Sequence, residues 1–445
     1  MKIFTLSIIL ALTTFCVLGI LTVNPASIQS FAGYFLVWCV FILVFHRELA
    51  KDFIFAFLVN SAFIVVFYGI QTSVYPDSYG TTSSLSSSWT DDSYFFTLIA
   101  DSIPPNLDTR DSYFLYNHPF STLVRALTPF SINHPIDVIF FNSGIAALLA
   151  TFTKTFLLQL SDNLRLAKTV YIFIILCPFL MMNGGVIFIR DTFVAALFIY
   201  SLSCINSGRV MLAMASIFLQ FLVRPGTALL LIPAYIIIYW RDIFGSSMRV
   251  VGLIVALLVI MIFGLIIFEF ELPNIIEGTS EGGAVKFIGR ELIVSYMDNS
   301  EKNSLFLAIQ ELPYVIKFFF NGAYIFTYPF LSPKYAFEGR NFDVRSIIMN
   351  FIVPIQGLWL NAWFVAGTLA RNTIIKRHVE IVFAMVVILI LIGTYSLQTR
   401  HKTIIYPLYY FIIAIGFVTA TPGQRAFGYL CSSVLLLLQL FFIFR

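Results

Sequence analysis

The chain has 445 residues, of which 59% are hydrophobic and only 11% are charged. Apolar runs of about 20 residues recur along it, so the composition excludes a soluble domain of this size and predicts helices that cross a membrane. The runs are continuous and do not alternate, which excludes a transmembrane β-barrel, and the net charge of +4 comes with no basic tail for nucleic acid.

The apolar segments, taken in chain order, predict an all-α polytopic membrane protein of about 13 transmembrane helices, forming one integral-membrane domain over residues 1–445. The segments are 3–23, 31–45, 52–72, 136–160, 167–184, 187–206, 209–223, 226–240, 248–268, 346–370, 379–397, 403–420 and 426–444. Several of them are short for a hydrocarbon core of about 30 Å, so we expect tilted or broken helices. The first segment resembles a signal peptide but is long enough to span, and we interpret it as the first helix.

The basic residues of the short loops predict the orientation, because cytoplasmic loops carry an excess of Lys and Arg. With the N-terminus in the cytoplasm, the cytoplasmic set is Lys2, Arg47, Lys51, Arg165, Lys168, Arg209, Arg241, Arg249, Arg371, Lys376, Arg377 and Arg425. Two large loops, residues 73–135 and 269–345, then face outward. Each contains an apolar stretch broken by proline and charged residues, 113–130 and 305–331, which we expect to form an interfacial or re-entrant helix and not a further span.

Four cations, Arg190, Arg224, Arg400 and Lys402, lie instead at the outer ends of apolar segments. A cation at that depth is costly and usually holds something anionic. Arg190 follows a Gly-Gly pair at a point where a helix is expected to restart, and Arg224 precedes Pro225, a favoured first helical residue.

Helix starts direct unpaired N–H groups and a positive dipole end toward an anion, so these positions predict a phosphate or pyrophosphate site. The alternative is that both arginines extend to water at the interface, Arg190 beside Asp191.

Candidates for acid–base chemistry lie in two further places. His401, between Arg400 and Lys402, titrates near neutral pH and could act as acid or base. Asp91 and Asp92, in the first large loop, could activate or orient a sugar hydroxyl. The alternatives are a solvated turn for the first and helix N-capping for the second.

The sequence contains no P-loop, no dinucleotide fingerprint and no His/Cys/carboxylate set with metal-ligand spacing, so no cofactor and no metal are predicted. Lys154, inside the fourth segment, is interpreted as a lysine that extends toward the inner surface.

Short motifs in residues 189–197, 222–225, 399–408 and 91–94 resemble those of bacterial membrane polysaccharide polymerases of the Wzy type, within the wider GT-C group of lipid-linked glycosyltransferases. The length, the number of segments and the two large outer loops are similar too. The resemblance covers the whole topology, although its motifs are short.

The resemblance implies a metal-independent enzyme of the bacterial inner membrane, with its active face in the periplasm, that makes O-antigen or a similar surface polysaccharide. It would transfer a growing glycan from undecaprenyl diphosphate onto the next lipid-linked repeat unit. Arg190, Arg224, Arg400 and Lys402 would bind the lipid diphosphates, and Asp91, Asp92 or His401 would act on the acceptor hydroxyl.

The same analogy implies a flippase and a chain-length regulator as partners. Two alternatives stay open: a GT-C enzyme that transfers single sugars from a polyprenyl phosphate, and a transporter or flippase of lipid-linked oligosaccharides.

Overall fold

The computed structural model describes residues 2–74, 119–128, 130–132, 135–186, 190–244, 326, 344–370, 377–395 and 399–444. All regular structure in these ranges is helical, as predicted, and no strand occurs among them. The α-helices are α1 Lys2–Val23, α2 Ile28–Phe45, α3 Ala50–Val74, α4 Pro119–Ala126, α5 Pro135–Ser161, α6 Leu164–Ile175, α7 Pro178–Met181, α8 Asp191–Asn206, α9 Val210–Val223, α10 Pro225–Phe244, α11 Val344–Ile347, α12 Val353–Leu369, α13 His378–Tyr395, α14 Tyr406–Thr419 and α15 Pro422–Phe444.

The predicted apolar segments fall on these helices, except residues 248–268, which lie outside the described residues. Among the described helices, six are long and apolar enough to cross a membrane, or seven if the bent pair α6–α7 counts as one span. Five further apolar helices are shorter. The chain is therefore consistent with a polytopic membrane protein, while the count of 13 and the orientation stay predictions.

The helices group into two compact units. Unit 1 comprises Met1–Ala228, Pro329–Lys376 and Tyr409–Arg445, and unit 2 comprises Leu229–Tyr328 and Arg377–Leu408. In unit 2, Arg377 ties α13 to α10 by donating to the Ile238 carbonyl at 2.9 Å and pairing with Asp242. The prediction of a single integral-membrane domain stays a prediction.

Helix α5 is the centre of unit 1, because its entire apolar window is buried and α2, α3, α6 and α8 all pack against it. A helix that is apolar all round has no face for water and is stable only where other helices or lipid surround it. At the start of α5, Asp137 accepts hydrogen bonds from Ser27 at 2.5 Å and Ser30 at 3.0 Å, which fixes α2 beside it.

The predicted span 167–184 is a broken helix. Helix α6 ends at Ile175, and Pro178 starts α7 at an angle of 52° because proline has no N–H to continue the ladder. We expected the break at Asn183, Gly184 and Gly185. The chain instead widens there into a π turn, Met182–Val186, which packs against α3 and α5.

Helix α4 belongs to the first large loop, and it lies within residues 113–130, where an interfacial or re-entrant helix was predicted. Its Phe120 is buried against Phe193 of α8, with ring centroids 5.9 Å apart. The residues after α4 pack on α2, where the Tyr34 hydroxyl and Thr128 Oγ1 are 2.6 Å apart. This segment therefore covers the end of unit 1 at which α2, α5 and α8 begin.

Candidate functional site: two helix junctions

Arg190 and Arg224 occupy equivalent positions, each one residue before a helix. The Arg190 carbonyl accepts the first hydrogen bond of α8 from Val194 N–H at 3.1 Å, and the Arg224 carbonyl accepts that of α10 from Ala228 N–H at 3.0 Å. Pro225 is the first residue of α10, as predicted. Both arginines thus stand at the positive end of a helix dipole.

The two junctions are held together by reciprocal contacts across the antiparallel helices α8 and α9. Arg224 forms an ion pair with Asp191, the first residue of α8. In the other direction, Arg190 Nη1 donates to the Val223 carbonyl at 3.1 Å. We call Arg190, Asp191 and Arg224 the junction cluster.

The junction cluster places two guanidinium groups around one carboxylate in a buried setting. The Arg224 and Asp191 side chains are only 9% and 1% exposed, and Arg190 is half-buried. The Asp191 carboxylate interacts electrostatically with both arginines. Formal charge within these three residues is positive by one, at a depth where weak dielectric screening strengthens charge–charge interactions.

The π turn borders the junction cluster through Thr192, the residue after Asp191. Thr192 Oγ1 donates to the Asn183 carbonyl at 3.4 Å, and a Cβ on Gly184 would lie only 2.7 Å from the same Oγ1. Glycine is required here because the turn passes so close to α8. The Asn183 amide nitrogen is buried and has no hydrogen-bond partner within the described part of the chain.

The structure thus brings two of the predicted site residues together, Arg190 and Arg224. The sequence prediction named Asp191 only as a neighbour of Arg190 and missed its pairing with Arg224, which is 33 residues away. No spacing rule indicates that pairing. It depends on α8 and α9 being antiparallel, which the short turn with Gly208 at φ +74° permits.

Lys402 lies in unit 2, in the 3-10 turn Thr399–Ile404. It is 5% exposed, and its Nζ donates to the Phe326 carbonyl at 3.0 Å. Burial disfavours the charged amine and lowers the pKa of Lys402 well below its ordinary value. A lysine with a lowered pKa is a weaker partner for a diphosphate than Arg190 or Arg224, which stay charged.

The structure describes the remaining predicted site residues only in part or not at all. The backbone of Arg400 and His401 lies in the same turn as Lys402, while their side chains are outside the description. Asp91 and Asp92 lie outside the described residues. Their proposed roles stay predictions.

A second ion pair in unit 1, which is partly buried, joins α3 to α5. Lys154 pairs with Asp52 and does not simply extend toward a surface, and its Nζ lies 5.5 Å from the centre of the Tyr171 ring. The Tyr171 hydroxyl donates to the Asp52 carbonyl at 2.5 Å, which adds α6 to the contact. Here one cation meets one carboxylate, with side-chain exposures of 12% for Lys154 and 30% for Asp52.

No protein-family model matches the chain, and no curated protein or solved structure is significantly similar to it. The resemblance to polysaccharide polymerases therefore depends on the short motifs and on the predicted topology.

Proposed function

We propose that the protein is a metal-independent membrane glycosyltransferase that polymerises undecaprenyl-diphosphate-linked repeat units at the periplasmic face of the bacterial inner membrane. The observation that supports this proposal is the junction cluster, in which Arg190 and Arg224 meet at one end of an apolar bundle. Two guanidiniums at helix starts suit an anionic group carried by a lipid, because the lipid brings its diphosphate to the membrane boundary.

In the proposed reaction, a hydroxyl of the new repeat unit attacks the anomeric carbon of the growing glycan. The bond from that carbon to the lipid diphosphate breaks, and the diphosphate leaves with the bonding electrons. Arg190 and Arg224 bind this group and stabilise the charge that develops on it. Asp91, Asp92 or His401 accepts the proton of the attacking hydroxyl.

Arg400 and Lys402 belong to unit 2. We propose that Arg400 contributes a permanent positive charge to lipid diphosphate binding within unit 2. Lys402, whose amine is buried, contributes as a hydrogen-bond donor.

Helix α4 supports a further part of the proposal. It covers the end of unit 1 that holds the junction cluster, through the contact of Phe120 with Phe193. A cover of this kind excludes water, which strengthens the electrostatic interactions of a reacting diphosphate. The glycan is proposed to lie along this cover and to leave toward the aqueous side.

The test is elongation of a radiolabelled lipid-linked repeat unit by the purified protein in lipid vesicles, with products separated by size. The wild type is expected to give a ladder of products, and Arg190→Glu is expected to give none while still reaching the membrane. Arg165→Gln, which changes an exposed arginine of α6, is the matched control and should keep the ladder.

The outcomes of this assay separate the alternatives. A single added sugar that requires a polyprenyl-phosphate donor would indicate a GT-C enzyme that modifies a glycan. Movement of the lipid-linked glycan across the vesicle without any new glycosidic bond would indicate a flippase. A wild-type ladder that persists in Arg190→Glu would refute the role of Arg190.

A further inference from the structure

Asp191 connects the two arginines of the junction cluster. Its carboxylate, 1% exposed, binds the Arg224 guanidinium, and its chain neighbour Arg190 donates to the carbonyl next to Arg224. The three charged groups therefore depend on one another for their positions.

Stability alone explains this arrangement poorly. Replacing a buried ion pair by apolar residues of similar volume is often neutral or stabilising, because both charges lose their hydration. The Asp191–Arg224 pair is better explained if one partner must be held in a fixed direction. A guanidinium suits that purpose, since its five N–H donors form a rigid planar fork whose direction is set by the group that binds one side.

We propose that Asp191 is the positioning residue of the anion site. Its carboxylate fixes the Arg224 guanidinium so that Arg224 and Arg190 contact the same lipid diphosphate. This inference rests on the proposed function, and it adds a residue that acts through Arg224 without touching the sugar. It also assigns the ligand of the junction cluster as the diphosphate of the glycan donor, because that diphosphate gains charge as the bond breaks.

The competing explanation is that the pair only clamps α8 to the junction between α9 and α10. A charge swap separates the two explanations. In Asp191→Arg combined with Arg224→Asp, the ion pair can form again with opposite polarity, so a clamp is restored. The guanidinium, however, is now attached to α8 at position 191, so it is displaced from its place in the wild type. A displacement of about 1 Å in a positioned group can cost on the order of 100-fold in rate.

The experiment compares wild type, Asp191→Asn, Asp191→Glu, Arg224→Asp and the charge-swap variant, each purified into lipid vesicles and checked for thermal stability. Initial elongation rates are measured against the concentration of lipid-linked donor. We expect kcat/KM to fall at least about 10-fold in Asp191→Asn and to recover partly in Asp191→Glu. The charge-swap variant should regain stability over Arg224→Asp alone and still show a kcat/KM at least about 10-fold below wild type.

The outcomes that overturn the proposal are specific to it. Wild-type kcat/KM in the charge-swap variant, or in Asp191→Asn, would show that the pair is only a clamp. If Asp191→Asn does not accumulate, the charge-swap variant and Asp191→Glu, which both keep a paired carboxylate, decide the question. Absence of elongation by the wild-type protein is a different result, which would reject the proposed function and this inference with it.

Discussion

The junction cluster and the Asp52–Lys154 pair both join a carboxylate to a cation in unit 1, but their surroundings differ. Lys154 lies within the continuous helix α5, and its partner Asp52 keeps a 30% exposed side chain. Arg224 lies where one helix ends and another begins, and its partner Asp191 is almost completely buried. A second cation, Arg190, is the chain neighbour of Asp191 and donates to the Val223 carbonyl beside Arg224.

The comparison teaches how to distinguish a structural ion pair from a candidate site. A charge-balanced pair such as Asp52–Lys154 needs no ligand, because each group compensates the other. A cluster with two guanidiniums for one carboxylate, at helix starts whose dipoles add to the positive potential, is suited to an anion. We therefore expect the two contacts to respond differently when they are changed.

The largest difference is expected in activity. Arg224→Gln removes a cation that the proposal places on the leaving diphosphate, so elongation per protein molecule should fall on the order of 100-fold. Lys154→Gln should keep wild-type elongation per molecule, since its contact has no part in the proposed chemistry. The measurement is the vesicle elongation assay at matched protein abundance. Equal losses of elongation activity in both variants would contradict the distinction between a candidate site and a structural ion pair.

The next difference is expected in stability. Arg224→Gln leaves Asp191 buried without its partner, which should lower the free energy of unfolding by about 3–5 kcal/mol. Lys154→Gln leaves a partly exposed Asp52 that can reach water, so the loss should be about 1 kcal/mol. Denaturant titration of the detergent-solubilised variants measures both values. A larger loss of unfolding free energy in Lys154→Gln than in Arg224→Gln would contradict the conclusion that Asp191–Arg224 is the more buried ion pair.

Much of the fold could be predicted from the sequence, because continuous apolar runs are a strong signal for spanning helices. The helix start at Pro225 could be predicted because the effect of proline on the backbone is local. A helix start near Arg190 was predicted too, but the break expected at Gly184 and Gly185 is a π turn. The pairings Asp191–Arg224 and Asp52–Lys154 could not be predicted. Each joins residues far apart in the chain, and helix packing alone decides which polar groups meet.

Lys402, which is buried like Arg224, provides a pH-dependent contrast to the arginines. Because burial lowers its pKa, the unfolded chain binds the proton more readily than the folded protein does. Stability should therefore fall as the pH decreases from about 10.5, the ordinary lysine value, toward the lowered pKa. The stability of Lys402→Met should not vary with pH in this way. The Tm of Lys402→Met minus that of wild type should therefore increase toward lower pH. A difference in Tm that is constant with pH would contradict burial of an ionisable amine.

The smallest effect is expected at the edge of the α3–α5 contact. Tyr171→Phe removes the hydrogen bond to the Asp52 carbonyl and keeps the ring beside Lys154, so the free energy of unfolding should fall by about 0.5–1.5 kcal/mol. Elongation per molecule should not change. Thermal unfolding measures the stability of this variant, and the vesicle assay measures its elongation activity. A loss of activity would indicate that the α3–α5 contact is functional after all.

The central claim is that Arg190 and Arg224 bind a lipid diphosphate, and a binding comparison tests it most directly. The purified protein in nanodiscs is titrated with undecaprenyl diphosphate and with undecaprenol, which has the same chain without the anion. We predict tighter binding of the diphosphate by wild type and by Lys154→Gln, and loss of this preference in Arg190→Gln combined with Arg224→Gln. Equal preference for the diphosphate in all three proteins would contradict the account.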